Sequence, residues 1–168
     1  AFWEHKGLDY RGILRAMLRN VEEGRMAQGA STITQQVART FLLTSDKKLA
    51  RKIKEAILAH RVENNFSKEH ILFLYLNQIS FGGGGRGKQA FGVQAASMLY
   101  FGKNAQDLNL AEGSILAGLP QAPSRYSPTR GPEHFRKAKQ RQLYVLEQME
   151  DKGYRHSPIQ VGHALESP

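Results

Sequence analysis

Cysteine is absent from this sequence of 168 residues. The chain therefore has neither a disulfide framework nor a thiolate nucleophile, and its redox compartment is left open. No apolar run approaches the roughly 20 residues that a membrane-crossing helix needs. No convincing stretch alternates apolar and polar residues as a half-buried strand would, and no internal repeat is visible. These absences exclude thiol chemistry and favour an all-α fold with a single domain.

Acidic residues are few relative to basic ones. The chain has 15 Asp and Glu against 24 Lys and Arg, a formal net charge of +9 and a pI near 9.9. This balance indicates an anionic partner: nucleic acid, an anionic lipid surface or a phosphorylated substrate. The six His residues lack metal-ligand spacing, and no phosphate-binding P-loop is present, so no dedicated protein metal site is predicted.

Helical periodicity runs through most of the chain. An amphipathic helix is expected around residues 11–21, with Arg11, Arg15 and Arg19 on one face. Ser67 is expected to cap a helix that includes residues 71–79, and Asp46 is expected to cap the helix before it. Further helices are predicted over about 33–42, 47–64, 91–100, 110–119 and 133–151. Gly82 to Gly87 predicts a flexible loop, and four prolines between residues 119 and 133 predict an irregular connection.

One helix start is suited to an anion. In the segment from Gln28 to Gln36, small and hydroxyl-bearing residues lead directly into a basic, amphipathic stretch. Thr32 and Gln35 fit the capping-box pattern, in which a hydroxyl and an amide satisfy the first backbone N–H groups of a helix. Such N–H groups and the helix dipole attract phosphate. An ordinary capped helix remains the simpler interpretation of this pattern taken alone.

Five segments in order resemble the signatures of the peptidoglycan glycosyltransferases, glycosyltransferase family 51. Gly29 to Gln36 is similar to the second signature. Phe2 to Gly7 is similar to the end of the first, Glu-Asp-x-x-Phe-x-x-His-x-Gly. Residues 51–55, 68–77 and 141–146 match the third, fourth and fifth. The family comprises the polymerase domains of class A penicillin-binding proteins and the monofunctional peptidoglycan polymerases, and the resemblance covers nearly the whole chain.

The resemblance implies a lysozyme-like helical domain, expected over residues 1–155 and truncated at its N-terminus, with a loosely ordered tail over 156–168. It implies an inverting glycosyltransferase that polymerises lipid II into β-1,4-linked glycan strands and releases undecaprenyl pyrophosphate. The implied partners are lipid II, the growing glycan strand, the membrane surface and a transpeptidase domain fused outside this chain, with no nucleic acid. The implied location is the outer, periplasmic face of the bacterial cytoplasmic membrane, with an anchor that is absent from this chain.

The resemblance also assigns the site. Glu55 corresponds to the second catalytic carboxylate, which assists the departing pyrophosphate directly or through a divalent cation, Mg²⁺ or Mn²⁺; no tightly bound cofactor is expected. Helical spacing independently places Arg51, Lys52 and Lys48 near the same face as Glu55, although such groups are most often surface ion pairs. The expected substrate-binding residues are Arg15, Ser31, Thr32, Gln36, Arg39, Lys47, Arg51 and Lys52. The expected supporting residues are His5, Thr34, Gln35, Tyr75 and Asn77.

The sequence departs from the family pattern at its first signature. Aligning the family Phe on Phe2 places the family Glu, the general base, three residues before Ala1. We therefore expect this chain alone to have little or no polymerase activity and regard it as a fragment. Glu4 is a weaker candidate for the missing base. Ala30 replaces a Gly, and Arg39 replaces a Lys while keeping the positive charge.

Two other interpretations remain open from the residues. A basic helical nucleic-acid-binding module would use the segment from Thr32 to Ile57 as a helix-turn-helix, but its turn has no Gly, and aromatics are not interleaved with the basic face. A glycan-cleaving hydrolase of related fold would need a second suitably placed carboxylate. The sequence nominates none.

Overall fold

The computed structural model of the protein describes residues 2–9, 31–42, 48–83 and 89–154. Within these ranges there are seven α-helices, three short 3₁₀ turns and no strand. Ser80 and Phe91 form an isolated antiparallel bridge. The helices are α1 (Ile33–Phe41), α2 (Lys48–Asn65), α3 (Lys68–Gln78), α4 (Val93–Phe101), α5 (Leu110–Gly118), α6 (Pro123–Tyr126) and α7 (Pro132–Asp151). The predicted all-α fold class is confirmed.

The chain divides into two compact units, Ala1–Gln78 and Ile79–Pro168. In the first unit, α1 contacts both α2 and α3. Its core joins Val37 of α1, Val62 of α2 and Ile71 of α3, and Phe2 packs against this cluster. Because one side chain comes from each helix, burial of this cluster fixes α1 and α2 against one another.

The start of α1 confirms the predicted capping box. The Gln35 backbone N–H donates to Thr32 Oγ1 at 3.1 Å, and the Thr32 backbone N–H donates to Gln35 Oε1 at 2.9 Å. The predicted cap of α3 is also present, since the His70 N–H donates to Ser67 Oγ at 3.2 Å. The expected Asp46 cap and the helix expected around residues 11–21 lie outside the described residues.

The second unit has its own core of Phe81, Ala90, Ala96, Leu116 and Leu119. Helix α5 packs along α7, and the buried Gln142 amide donates to the Ala111 carbonyl at 2.9 Å. Gly82 has a φ of 79°, and a Cβ there would lie 2.9 Å from the Pro123 carbonyl oxygen. A side chain at this position would therefore be strained twice, by backbone conformation and by contact.

One prediction about the second unit needs correction. The connection expected to be irregular contains three helical turns, Leu119–Gln121, Pro123–Tyr126 and Pro128–Arg130, each with a Pro in its first two positions. Proline suits these positions because its missing N–H would have no partner in the helix. The helix expected over about 91–100 is present as α4, which begins at Val93 because Gly92 has a φ of 82°. The loop expected at Gly82 to Gly87 lies partly outside the described residues, and this loop, the tail over 156–168 and the domain limits of 1–155 stay predictions.

Candidate active site

The first unit contains one buried carboxylate surrounded by positive charge. The Glu55 side chain, in the middle of α2, has no exposed surface. Arg51 and Lys52 lie one helical turn earlier on the same helix, as their spacing predicts. Lys52 Nζ donates to Glu55 Oε2 at 2.8 Å, and Arg51 Nε lies 3.5 Å from Glu55 Oε1.

Helix α1 supplies the third cation. Arg39 Nε donates to Glu55 Oε1 at 2.9 Å, and its Nη2 donates to Oε2 at 3.4 Å. This two-point contact is the geometry in which a guanidinium binds a carboxylate most specifically. Arg39, which stands in place of the Lys of the family pattern, therefore bridges α1 and α2 through Glu55.

Ser31 lies beside these charged residues, because Lys52 Nζ also donates to Ser31 Oγ at 2.6 Å. We call Arg39, Arg51, Lys52 and Glu55 the cationic cluster. Its three cations and one carboxylate leave a formal charge of +2. The side chains of Arg39, Arg51 and Lys52 are 48%, 39% and 46% exposed. The cluster thus hides its negative charge and presents its positive charge to solvent, where an anion can reach it.

Glu55 is ionised in this setting. Burial raises its pKa, but hydrogen bonds from Arg39 and Lys52, together with their charges, outweigh burial and bring the pKa below the ordinary 4.5. A carboxylate held in this way is a poor proton acceptor near neutral pH. Its chemical effect is to fix the directions of the surrounding cations.

Three of the predicted residues are engaged within the protein. The Thr32 hydroxyl donates to the Gly7 carbonyl at 2.6 Å and accepts from the backbone of Gln35, whose own amide completes the capping box. The buried Thr34 hydroxyl donates to Glu63 Oε1 at 2.5 Å. The capping box already occupies the Gln35 N–H at the start of α1. An anion would therefore be held chiefly by the exposed cations. Gln36 is partly exposed on α1, and its substrate contact stays a prediction.

The remaining supporting residues lie elsewhere in the first unit. His5 is partly buried, and burial followed by the charge of Lys68 lowers its pKa below 6.5. Tyr75 packs against the core of this unit, and burial raises its pKa. Asn77 donates to the Phe73 carbonyl at 2.8 Å near the end of α3. Arg15 and Lys47 lie outside the described residues.

One polar pair was missed by the sequence reasoning. Lys68 Nζ donates to Glu63 Oε1 at 2.8 Å, and their side chains are 18% and 5% exposed. The two residues are five apart and on different helices, so the spacing rules for pairs within a helix give no signal.

The residues around Glu55 do not fit a divalent cation bound directly to this carboxylate. Both of its oxygens accept hydrogen bonds from cationic side chains, and three positive charges would repel a metal ion. Across the described ranges, no group of three His, Cys, Asp or Glu residues could hold a metal ion.

In the described helical fold, the cationic cluster presents three part-exposed cations around a buried carboxylate, an arrangement that suits an anionic ligand. The chain belongs to the transglycosylase family, whose model matches residues 1–150. The predicted family is therefore confirmed, and with it the predicted class of enzyme, a glycosyltransferase. Neither the family nor the relatives support the nucleic-acid-binding alternative.

Several relatives are similar over most of this chain. Penicillin-binding protein 1A of Aquifex aeolicus is 46% identical over 167 residues, covering 99% of this chain and 22% of the relative. The protein of the same name from Neisseria lactamica is 48% identical over 148 residues, covering 88% of this chain and 18% of the relative. The chain thus spans about a fifth of the length of these curated relatives. In the described part of the chain, no helix is long and apolar enough to cross a membrane.

Proposed function

We propose that this domain is a peptidoglycan glycosyltransferase that polymerises lipid II. The acceptor 4-hydroxyl attacks the anomeric carbon of the donor, the bond from that carbon to the diphosphate oxygen breaks, and undecaprenyl pyrophosphate leaves. The proton of the hydroxyl passes to a general base, and inversion gives a β-1,4 link. Family membership supports the reaction class, and the cationic cluster is the observation that carries the assignment of the site.

The cationic cluster suits the leaving group. Negative charge grows on the diphosphate as the bond breaks, and fixed cations stabilise such charge without having to reorganise. Arg39 and Lys52 are held in place by Glu55 yet keep nearly half of their side chains exposed. We therefore assign Arg39, Arg51 and Lys52 to the diphosphate and Glu55 to the orientation of these cations. Ser31 is assigned to the same subsite through its contact with Lys52.

We assign the role of accepting the hydroxyl proton to a group other than Glu55. A buried carboxylate with a lowered pKa and two cationic hydrogen-bond donors has little tendency to take a proton. The first signature would supply the base as a Glu four residues before Phe2. This division of roles separates the proton acceptor from the group that assists departure of the diphosphate.

The setting of the reaction is also a proposal. The name of the relatives states that they bind penicillin, and each is several times longer than this chain. We propose that this domain acts beside a transpeptidase domain at the outer face of the bacterial cytoplasmic membrane. Its substrates there would be lipid II and the growing glycan strand.

The activity can be tested by restoring the first signature. We would extend the chain at Ala1 so that Glu-Asp falls four and three residues before Phe2, and follow lipid II polymerisation by gel. The extended chain should form glycan, whereas the chain of 168 residues and an extended chain with Gln in place of the added Glu should not. Failure of an extended chain that folds and binds lipid II would contradict the proposed activity. Parallel reactions with Mg²⁺, Mn²⁺ or EDTA would show whether a divalent cation assists.

A further inference from the structure

A second polar cluster in the first unit lies at Glu63. Glu63 Oε1 accepts hydrogen bonds from the Thr34 hydroxyl of α1 at 2.5 Å and from Lys68 Nζ of α3 at 2.8 Å. Only 5% of the Glu63 side chain is exposed. A nearly buried carboxylate needs such partners, so Glu63 joins three helices through one charged oxygen.

Lys68 extends this cluster to the segment 2–9, which we call the N-terminal segment. Lys68 Nζ donates to the His5 carbonyl at 2.5 Å and lies 4.6 Å from the centre of the Phe2 ring. The ammonium thus has three partners, a carboxylate, a carbonyl and an aromatic face, to match its three N–H donors. Glu63 and Lys68 together hold the first half of this segment.

A further contact holds the other half of the segment. The Thr32 hydroxyl donates to the Gly7 carbonyl at 2.6 Å. Gly7 has a φ of 84°, and a Cβ there would lie 3.1 Å from the Ala59 carbonyl oxygen of α2. The segment therefore approaches the backbone of α2 at a place where only Gly fits well.

The helices that hold this segment also carry the cationic cluster. On α1, Thr34 precedes Arg39 by five residues, and on α2, Glu63 follows Glu55 by eight. Regular helices and the shared core of Val37, Val62 and Ile71 transmit this geometry. Removing the hydrogen bonds of Glu63 or Lys68 would free the N-terminal segment, while the cationic cluster would stay assembled.

We infer that Glu63 and Lys68 are positioning residues that hold the N-terminal segment in a fixed place relative to Glu55. The structural part of this inference stands on the contacts alone. Its catalytic part rests on the proposed function, in which the general base lies four residues before Phe2, the first residue of this segment. Neither residue touches the substrate in this scheme; both act through the segment.

The chain carries its own reporter for the inference. Trp3 is its one tryptophan, and its ring lies edge-on to Phe2 with 5.1 Å between the centroids. Fluorescence anisotropy and iodide quenching of Trp3 therefore report on this segment without a label. The variants would be Glu63→Gln, Lys68→Met and the conservative Lys68→Arg. Lys137→Met, which removes an exposed ion pair with Glu133 on α7, is the matched control.

In the chain of 168 residues, Glu63→Gln and Lys68→Met should lower the Trp3 anisotropy and raise its quenching. The ratio of held to released segment should fall about tenfold, since a hydrogen bond to a charged group is lost. Helical circular dichroism and lipid II affinity should stay near wild type. Lys68→Arg should restore the Trp3 signal, and Lys137→Met should not change it. Unchanged Trp3 signals in folded Glu63→Gln and Lys68→Met chains would overturn the inference.

The catalytic part uses the extended chain that carries Glu-Asp. There, Glu63→Gln and Lys68→Met should lower kcat by about a hundredfold, because a small misplacement of a reacting group is costly, with KM little changed. Equal losses in kcat and lipid II binding, or an unchanged kcat, would overturn the positioning role. If the extended wild-type chain itself fails to polymerise, the proposed function fails, while the Trp3 result still decides the structural part.

Discussion

Replacing Glu55 by Gln should destabilise the domain, because it removes the one negative charge from the cationic cluster. A hydrogen bond to a charged group contributes about 1.5 to 3 kcal/mol. Gln keeps one oxygen for Arg39 Nε but turns an NH₂ group toward Lys52, so the short bond from Lys52 is lost, and with it the longer bond from Arg39 Nη2. Breaking a fully buried pair costs about 3 to 5 kcal/mol. Here, however, the Arg39 and Lys52 side chains are 48% and 46% exposed, and water partly replaces the carboxylate.

We therefore expect the free energy of unfolding of Glu55→Gln to fall by about 1.5 to 3 kcal/mol. At about 2 to 4 °C per kcal/mol for a domain of this size, the Tm should fall by about 3 to 12 °C. Thermal and urea unfolding followed by circular dichroism at pH 7 would measure both. Glu133→Gln, at an exposed ion pair on α7, is the control and should change little.

The stability difference between wild type and Glu55→Gln should change with pH in a definite direction. Because the pKa of Glu55 is lowered in the folded state, the carboxylate stabilises the fold fully above its unfolded value of 4.5 and loses that effect as pH falls. The difference between wild type and Glu55→Gln should therefore shrink below pH 4.5. A variant as stable as wild type at pH 7, or a difference that grows in acid, would show that the Glu55 carboxylate does not stabilise the fold.

Three further predictions concern the first unit. Lys52→Met should weaken lipid II binding about tenfold through loss of a charged contact, as measured by titration, whereas equal affinity would remove Lys52 from the site. Burial and Lys68 lower the pKa of His5, so stability should decline as pH falls from 6.5 toward that lower pKa; His5→Gln should remove this decline in urea unfolding. Gly7→Ala should cost about 1 to 3 kcal/mol because of its positive φ, and Gly113→Ala in α5, where a Cβ meets nothing within 4 Å, should cost less in the same assay.

Local chemistry explains which parts of the fold could be predicted. The capping box of α1 and the Ser67 cap of α3 depend on residues three apart, and both are present. The three turns of the proline-rich connection were missed, because the sequence reasoning treated Pro as a helix breaker. Proline breaks a helix interior but suits a first turn.

The candidate site was only partly predictable from the sequence, because local spacing does not determine contacts between helices. Helical spacing brought Arg51 and Lys52 to Glu55, but the contact of Arg39 with Glu55 spans sixteen residues and depends on how α1 packs on α2. The link from Glu63 to Lys68 crosses a helix break and joins two helices. Neither contact follows from periodicity, because tertiary packing decides both.

Lipid II binding by the chain of 168 residues tests most directly whether the cationic cluster holds a lipid-linked diphosphate. Affinity would be measured in detergent for lipid II, for undecaprenol without phosphate and for duplex DNA at matched ionic strength. We expect selective binding of lipid II, with an affinity that falls in a chain carrying both Arg39→Met and Lys52→Met. Tighter binding of DNA, or lipid II binding that the double variant leaves unchanged, would contradict this expectation.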